Sequence, residues 1–87
     1  MNRDDDMAYF SLMNVFGKNV AACLSAYGWS KQQLADQCGL DRAVVSKIID
    51  GKRDNITLRT AEAIAVALQI PLSDLLSVRF RAPEMAA

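Results

Sequence analysis

Arg42, Ala43, Ser46 and Lys47 stand at i, i+1, i+4 and i+5, the spacing that gathers side chains on a single surface of an α-helix. The chemistry they offer is hydrogen bonding to polar edges, not bond breaking. The Arg42 guanidinium can donate two parallel bonds to an acceptor pair such as O6 and N7 of guanine. Lys47 can reach a guanine edge or a phosphate, Ser46 places a hydroxyl beside them, and Ala43 offers only a methyl contact to thymine. Val44 can add a similar apolar contact at the edge of this surface. Val45, Ile48 and Ile49 fall on the opposite side, which must then face a core. Read alone, Arg42 could equally be a solvated surface charge paired with Asp41 or Asp50.

The remaining residues give no support to catalysis. The chain has no histidine, and it has neither carboxylates paired at a workable spacing nor a glycine-rich phosphate loop. Asp4, Asp5 and Asp6 are adjacent carboxylates near a chain end and read as solvated rather than as a cation site. Cys23 and Cys38 lack metal-ligand spacing and both fall on apolar helix faces, where a thiol acts as a small hydrophobe. A disulfide between them is not expected in a reducing compartment. The expectation is a binding protein, not an enzyme, with no cofactor and no metal.

A helix must present those four side chains, and the stretch Ser30 to Arg53, SKQQLADQCGLDRAVVSKIIDGKR, predicts how. It reads as two short helices joined by a glycine turn. Leu34 and Cys38 lie one turn apart on the first, and Val45 and Ile48 share a face of the second. Ala35 falls where the two helices cross, and Gly39 sits at the bend, where a left-handed backbone is cheap only without a Cβ. Ser30 caps the first of the pair, with Gln33 placed to complete a capping box. Asp41 caps the second, which runs from about Arg42 to Asp50 and stops at Gly51.

Around this pair the periodicity predicts three more helices. One runs from near Asn14 to Gly28, with Phe16, Val20, Cys23, Leu24 and Tyr27 as its apolar stripe. A second is capped by Thr57, turns Ala61, Ile64, Ala65 and Leu68 inward, and cannot continue past Pro71. The last begins at Ser73 and Asp74 and carries Leu75 and Leu76. Residues 1–13 form an N-terminal extension read as helical. Its stripe of Met7, Phe10, Met13 and Phe16 would lengthen the first helix, form an extra one, or pack across a dimer interface, with packing on the core of its own chain the simplest reading. Residues 14–78 make the core domain, and 79–87 a tail that could contact a second copy. Val78-Arg79-Phe80-Arg81 alternates apolar and basic residues, which predicts a short strand able to pair with its copy in a second subunit.

The motif resembles the helix-turn-helix of the Cro/phage-repressor, or XRE-like, family. The resemblance runs from about Val15 to Val78. It includes the lead-in Tyr27-Gly28-Trp29-Ser30, the exit Gly51-Lys52-Arg53 and the closing segment Ala67 to Leu76. It implies an all-α, compact five-helix repressor-like domain and sequence-specific, usually dimeric, binding of double-stranded DNA in transcriptional control. By position, it gives Arg42, Ala43 and Lys47, with Ser46 beside them, the base-reading role. Many members carry glutamine where this chain has Lys31; that glutamine contacts a phosphate and braces the first recognition residue. A lysine keeps the phosphate role without the two-sided amide bridge. Ser30, Lys31 and Gln32 stand at a helix start that attracts phosphate, and Lys52, Arg53 and Asn55 in the following loop are further phosphate candidates.

Charge tempers this picture. The chain holds ten basic and ten acidic groups. Residues 29–60 hold six basic groups (Lys31, Arg42, Lys47, Lys52, Arg53, Arg59) against four acidic ones (Asp36, Asp41, Asp50, Asp54). The small positive excess on the motif predicts weak non-specific affinity and a modest salt slope, so discrimination rests on base contacts. Eighty-seven residues allow one domain with a small core. A cytoplasmic location is the default, since there is no apolar run of membrane length and no secretory-type leader. One short helix reads too few base pairs for genomic specificity, so a homodimer is expected, its copies on successive turns about 34 Å apart. Leu72, Leu76, Val78 and Phe80 are the candidate dimer contacts. A Cro-type repressor and a restriction–modification controller fit equally. An antitoxin or adaptor that uses the fold mainly to bind protein is the alternative.

Overall fold

The computed structural model describes residues 3–52 and 55–83, with side chains described from residue 12 onward. Among the described residues the chain forms helices and no strand: α1 (Arg3–Tyr27), α2 (Lys31–Cys38), α3 (Arg42–Ile49), α4 (Leu58–Leu68) and α5 (Leu72–Leu75). No helix among them is long and apolar enough to cross a membrane.

α1 is longer than the stripe beginning near Asn14 predicts, because helix continues without a break through residues 3–13. Of the upstream stripe, Met13 is half-buried and Phe16 buried; the side chains of Met7 and Phe10 lie outside the described residues. α1 ends where Gly28 turns left-handed and the Trp29 N–H donates to the Leu24 carbonyl at 2.9 Å, a helix stop of Schellman type. α2 starts with the full capping box. Ser30 Oγ accepts from the Gln33 N–H at 3.1 Å, and Gln33 Oε1 accepts from the Ser30 N–H at 2.7 Å. Thr57 caps α4 in the same way, accepting from the Thr60 N–H at 3.1 Å. Asp41 holds the N-cap position of α3 with extended backbone, but its side chain makes no cap bond.

The core is one cluster. Phe16, Val20 and Cys23 of α1, Leu34 of α2, Val45 and Ile48 of α3, Ile64 and Leu68 of α4, and Leu75 of α5 are all under 2% exposed. Each such aliphatic or aromatic side chain contributes roughly 1.5–3 kcal/mol by leaving water. Ala35 is likewise fully buried, so α2 and α3 can approach closely.

Two further contacts fix helices that the apolar pattern leaves free to slide. Gly17, inside α1, lies against the last turn of α3. A Cβ built there would overlap the Ile48 carbonyl oxygen and stand 3.2 Å from that of Ile49. Asn19 Nδ2 donates to the carbonyls of Leu75 at 2.8 Å and Ser77 at 2.9 Å, tying the end of α5 to α1.

The strand expected at 78–81 is not formed. Val78 and Arg79 make a turn in which the Phe80 N–H donates to the Ser77 carbonyl at 3.2 Å. The close Asn19 bonds and the packing of Phe80 on the chain's own core outweigh an alternation of only four residues. α5 begins one residue before Ser73, directly after Pro71.

Candidate nucleic-acid interface

α3 is held on its inner side by Val45 and Ile48, each 1% exposed, with Ile49 half-buried beside them. The outer side carries Arg42, Ala43 and Lys47, all exposed, with Ser46 half-buried between them and Val44 half-buried at the edge. Three of the four side chains proposed to read bases therefore stand in solvent on one surface of a helix whose other surface is fixed. Arg42 makes no ion pair with Asp41 or Asp50 among the described residues; Asp50 is turned to another partner.

That partner is Lys31, at the first position of α2. Its Nζ donates to Ser46 Oγ at 3.2 Å and lies 3.6 Å from Asp50 Oδ1. Ser46 Oγ in turn donates to Asp50 Oδ2 at 3.4 Å. Lys31 thus reaches across the gap between the two helices and grips the outer face of α3 instead of extending into solvent.

The other phosphate candidates divide by position. Ser30 is exposed at the start of α2. Its oxygen accepts the Gln33 amide, which leaves its proton to donate. The amides of Lys31 and Gln32 head a helix start, where backbone N–H groups point outward. The Gln32 side chain is turned back along α2, donating to Asp36 Oδ1 at 2.8 Å. Lys52 is exposed just past α3. Its backbone is locked by a Schellman pair: Gly51 N–H to the Ile48 carbonyl at 3.2 Å and Lys52 N–H to the Lys47 carbonyl at 2.9 Å. Asn55 is exposed in the loop before α4. Arg53 lies outside the described residues.

The candidate dimer residues also separate. Leu72, Leu76 and Phe80 pack in part against the core of their own chain. Val78 is 79% exposed. Leu72 and Leu76 line an apolar groove that also takes in Leu12, Phe16, Ile56 and Leu58, with Leu58 77% exposed at its rim.

Cys23 is buried and Cys38 half-buried, with Cys38 Sγ donating weakly to the Ala63 carbonyl at 3.7 Å. Burial pushes both thiols above their ordinary range, so neither is held as a thiolate nucleophile.

Sequence reasoning did not single out Gly17, Asn19 or the pairing of Asp50 with Lys31. A glycine inside a run of good helix formers, and the i, i+4 spacing of Ser46 and Asp50, were the available signals for the first and last. Nothing local marks Asn19, whose partners are 56 and 58 residues away.

Comparison with known proteins agrees with this geometry. A helix-turn-helix family model matches residues 21–75. A hypothetical transcription factor of Neisseria meningitidis serogroup B (strain ATCC BAA-335 / MC58) is 49% identical over 49 residues, covering 56% of this chain and 45% of the relative. The matched part thus spans less than half the length of that relative. Among solved structures, the restriction-modification controller protein C.AhdI from Aeromonas hydrophila superimposes with a TM-score of 0.68 at 33% identity, covering 72% of this chain and 94% of its own. The hypothetical transcription factor NHTF from Neisseria gives a TM-score of 0.72 at 38% identity, covering 76% and 75% of the two chains. With its capped α2, its glycine turn and an α3 buried on one side and polar on the other, the chain belongs to the helix-turn-helix family of the Cro/phage-repressor, XRE-like type.

Proposed function

We propose that the chain is a transcriptional regulator that binds double-stranded DNA sequence-specifically, as a homodimer reading an inverted repeat in the major groove. The observation that carries this reading is α3. It is a helix of eight residues pinned by Val45 and Ile48, showing Arg42, Ala43 and Lys47 to solvent. In this reading Arg42 grips a guanine edge, Ala43 touches a thymine methyl, Lys47 contacts guanine or phosphate, and Ser46 reads a neighbouring base. Ser30, the amides at the start of α2, Lys52, Arg53 and Asn55 hold the flanking phosphates. The match to a restriction-modification controller over 94% of that protein supports a regulator of controller type; a Cro-type repressor fits the same motif.

Dimerisation follows from the length of α3, which spans too few base pairs alone. The groove of Leu12, Leu58, Leu72 and Leu76 supplies apolar surface that a second copy would cover. A DNA-bound role places the protein with the chromosome, in the cytoplasm of a prokaryotic cell.

The test is capture of sheared genomic DNA by the purified protein at moderate salt, with sequencing of the retained fragments and sedimentation of the complex. Fragments sharing an inverted repeat, bound by two copies of the chain, support the reading. Uniform retention of all fragments, or none, contradicts it and favours an adaptor that binds protein.

A further inference from the structure

The outer face of α3 carries a carboxylate where it should be costly. Asp50 caps the end of the helix, close to the surface assigned to DNA, and DNA presents a dense row of phosphates to any such group. The structure answers that cost with Lys31, whose ammonium is 3.6 Å from Asp50 Oδ1. The same ammonium donates to Ser46 Oγ at 3.2 Å, and Ser46 donates to Asp50 Oδ2 at 3.4 Å. A serine hydroxyl has one proton and two acceptor sites. Here the proton goes to Asp50 and one acceptor site to Lys31, which leaves Ser46 able only to accept. In the major groove the only base donors are the exocyclic amines, N6 of adenine and N4 of cytosine.

We propose that Lys31 is a positioning residue: it masks Asp50 from the phosphates and, through the Lys31–Ser46–Asp50 triad, fixes Ser46 as an acceptor for an exocyclic amine, N6 of adenine or N4 of cytosine, instead of a donor to the acceptors of the same pair. The inference rests on the DNA-binding reading above and adds to it a specificity rule and an internal charge mask. It moves Lys31 from the phosphate contacts to the support of α3. The side chains are about a third and two-fifths exposed, at 34% for Lys31 and 42% for Asp50. The mask can therefore be removed without opening the core.

The test is a double-mutant cycle on duplexes selected by the wild-type chain. Lys31→Met keeps the apolar stem and removes the charge; Asp50→Asn keeps the shape of the cap and removes the carboxylate. Lys31→Met should weaken binding to every duplex by about tenfold, since it both loses a cation and exposes an anion facing phosphate. Adding Asp50→Asn to it should restore most of that loss, to within about threefold of wild type. Ser46→Ala identifies the base pair that Ser46 reads, and an analogue of its adenine or cytosine that lacks the exocyclic amine should weaken binding of wild type but not of Ser46→Ala. Asp50→Ala frees the hydroxyl proton to donate to an acceptor of the same pair and should abolish the penalty for the amine-free analogue, which a purely structural role for Asp50 would not do.

Independent, additive losses from Lys31→Met and Asp50→Asn would make Lys31 an ordinary phosphate contact and overturn the proposal. So would wild-type binding that is indifferent to the amine-free analogue at the Ser46 pair. If the folded wild-type chain selects no duplex, the DNA-binding reading itself fails, and the two failures are told apart by that first selection.

Discussion

Gly17→Ala offers the sharpest test of how α3 is held. Within a helix, replacing glycine by alanine ordinarily stabilises by about 0.5–1 kcal/mol, because alanine loses less backbone entropy on folding. At Gly17 the new methyl would overlap the Ile48 carbonyl oxygen and crowd the Ile49 carbonyl oxygen at 3.2 Å. Both obstacles are backbone atoms in the last turn of α3, so no side-chain rotation relieves them. α1 and α3 must separate, or the end of α3 must deform. Forcing an extra methyl group into a packed interior costs about 1–3 kcal/mol, and a backbone obstacle belongs at the upper end. After subtracting the helix gain, the net loss is about 2 kcal/mol. For a domain of this size that lowers Tm by roughly 8–16 °C. Circular dichroism melts of the variant and wild type measure it. Ala22→Gly, at an exposed position of the same helix, isolates the propensity term. Because α3 moves, affinity for a selected duplex should fall further than the unfolded fraction explains. A melting temperature equal to or above wild type would refute the close crossing of α1 and α3.

Arg42→Ala should cost about 1–3 kcal/mol on the selected site and relax preference at one base pair; an unchanged preference in a repeated site selection removes Arg42 from the base readers. Lys52→Ala should weaken binding to all sequences alike and reduce the slope of log affinity against log salt by about one, measured by fluorescence anisotropy of labelled duplexes; a loss confined to one sequence contradicts a phosphate role. Asn19→Ala leaves the Leu75 and Ser77 carbonyls without the donor that meets them at 2.8 and 2.9 Å. It should destabilise by about 2 kcal/mol and speed amide exchange in the residues after α5, and protection equal to wild type there would mean the tail is held by Phe80 packing alone.

The helix-turn-helix was legible because its signals are local. Ser30 and Gln33 stand three residues apart, Gly39 marks the bend, and Val45 and Ile48 share a face of α3. Each of these choices depends on neighbours within about one or two turns, so sequence spacing suffices. The C-terminal strand failed for the opposite reason. Alternation at Val78 to Arg81 is a weak local signal, and a distant amide, Asn19, bends that segment into a turn against α1. Of the alternatives the upstream stripe leaves open, α1 takes the lengthened helix: a dense apolar stripe marks where a helix packs, not where it starts, and helical backbone carries on through the residues before it. Within the site, the faces of α3 could be read from period alone. The partner of Lys31 could not, because which cation meets Asp50 depends on how α2 crosses α3. Gly17 belongs to the same class, since its role appears only when α1 and α3 are brought together.

The central claim is that α3 reads a defined operator as one half of a dimer. Selection of binding sites from a random duplex library at about 0.15 M salt, near physiological ionic strength, tests it most directly. The account requires enrichment of an inverted repeat whose half-sites lie about one helical turn apart, with the preference lost at one position in each half-site when Arg42 is replaced by alanine. A library that emerges unenriched from protein shown to be folded, or an enriched site indifferent to Arg42, Ser46 and Lys47, would contradict it.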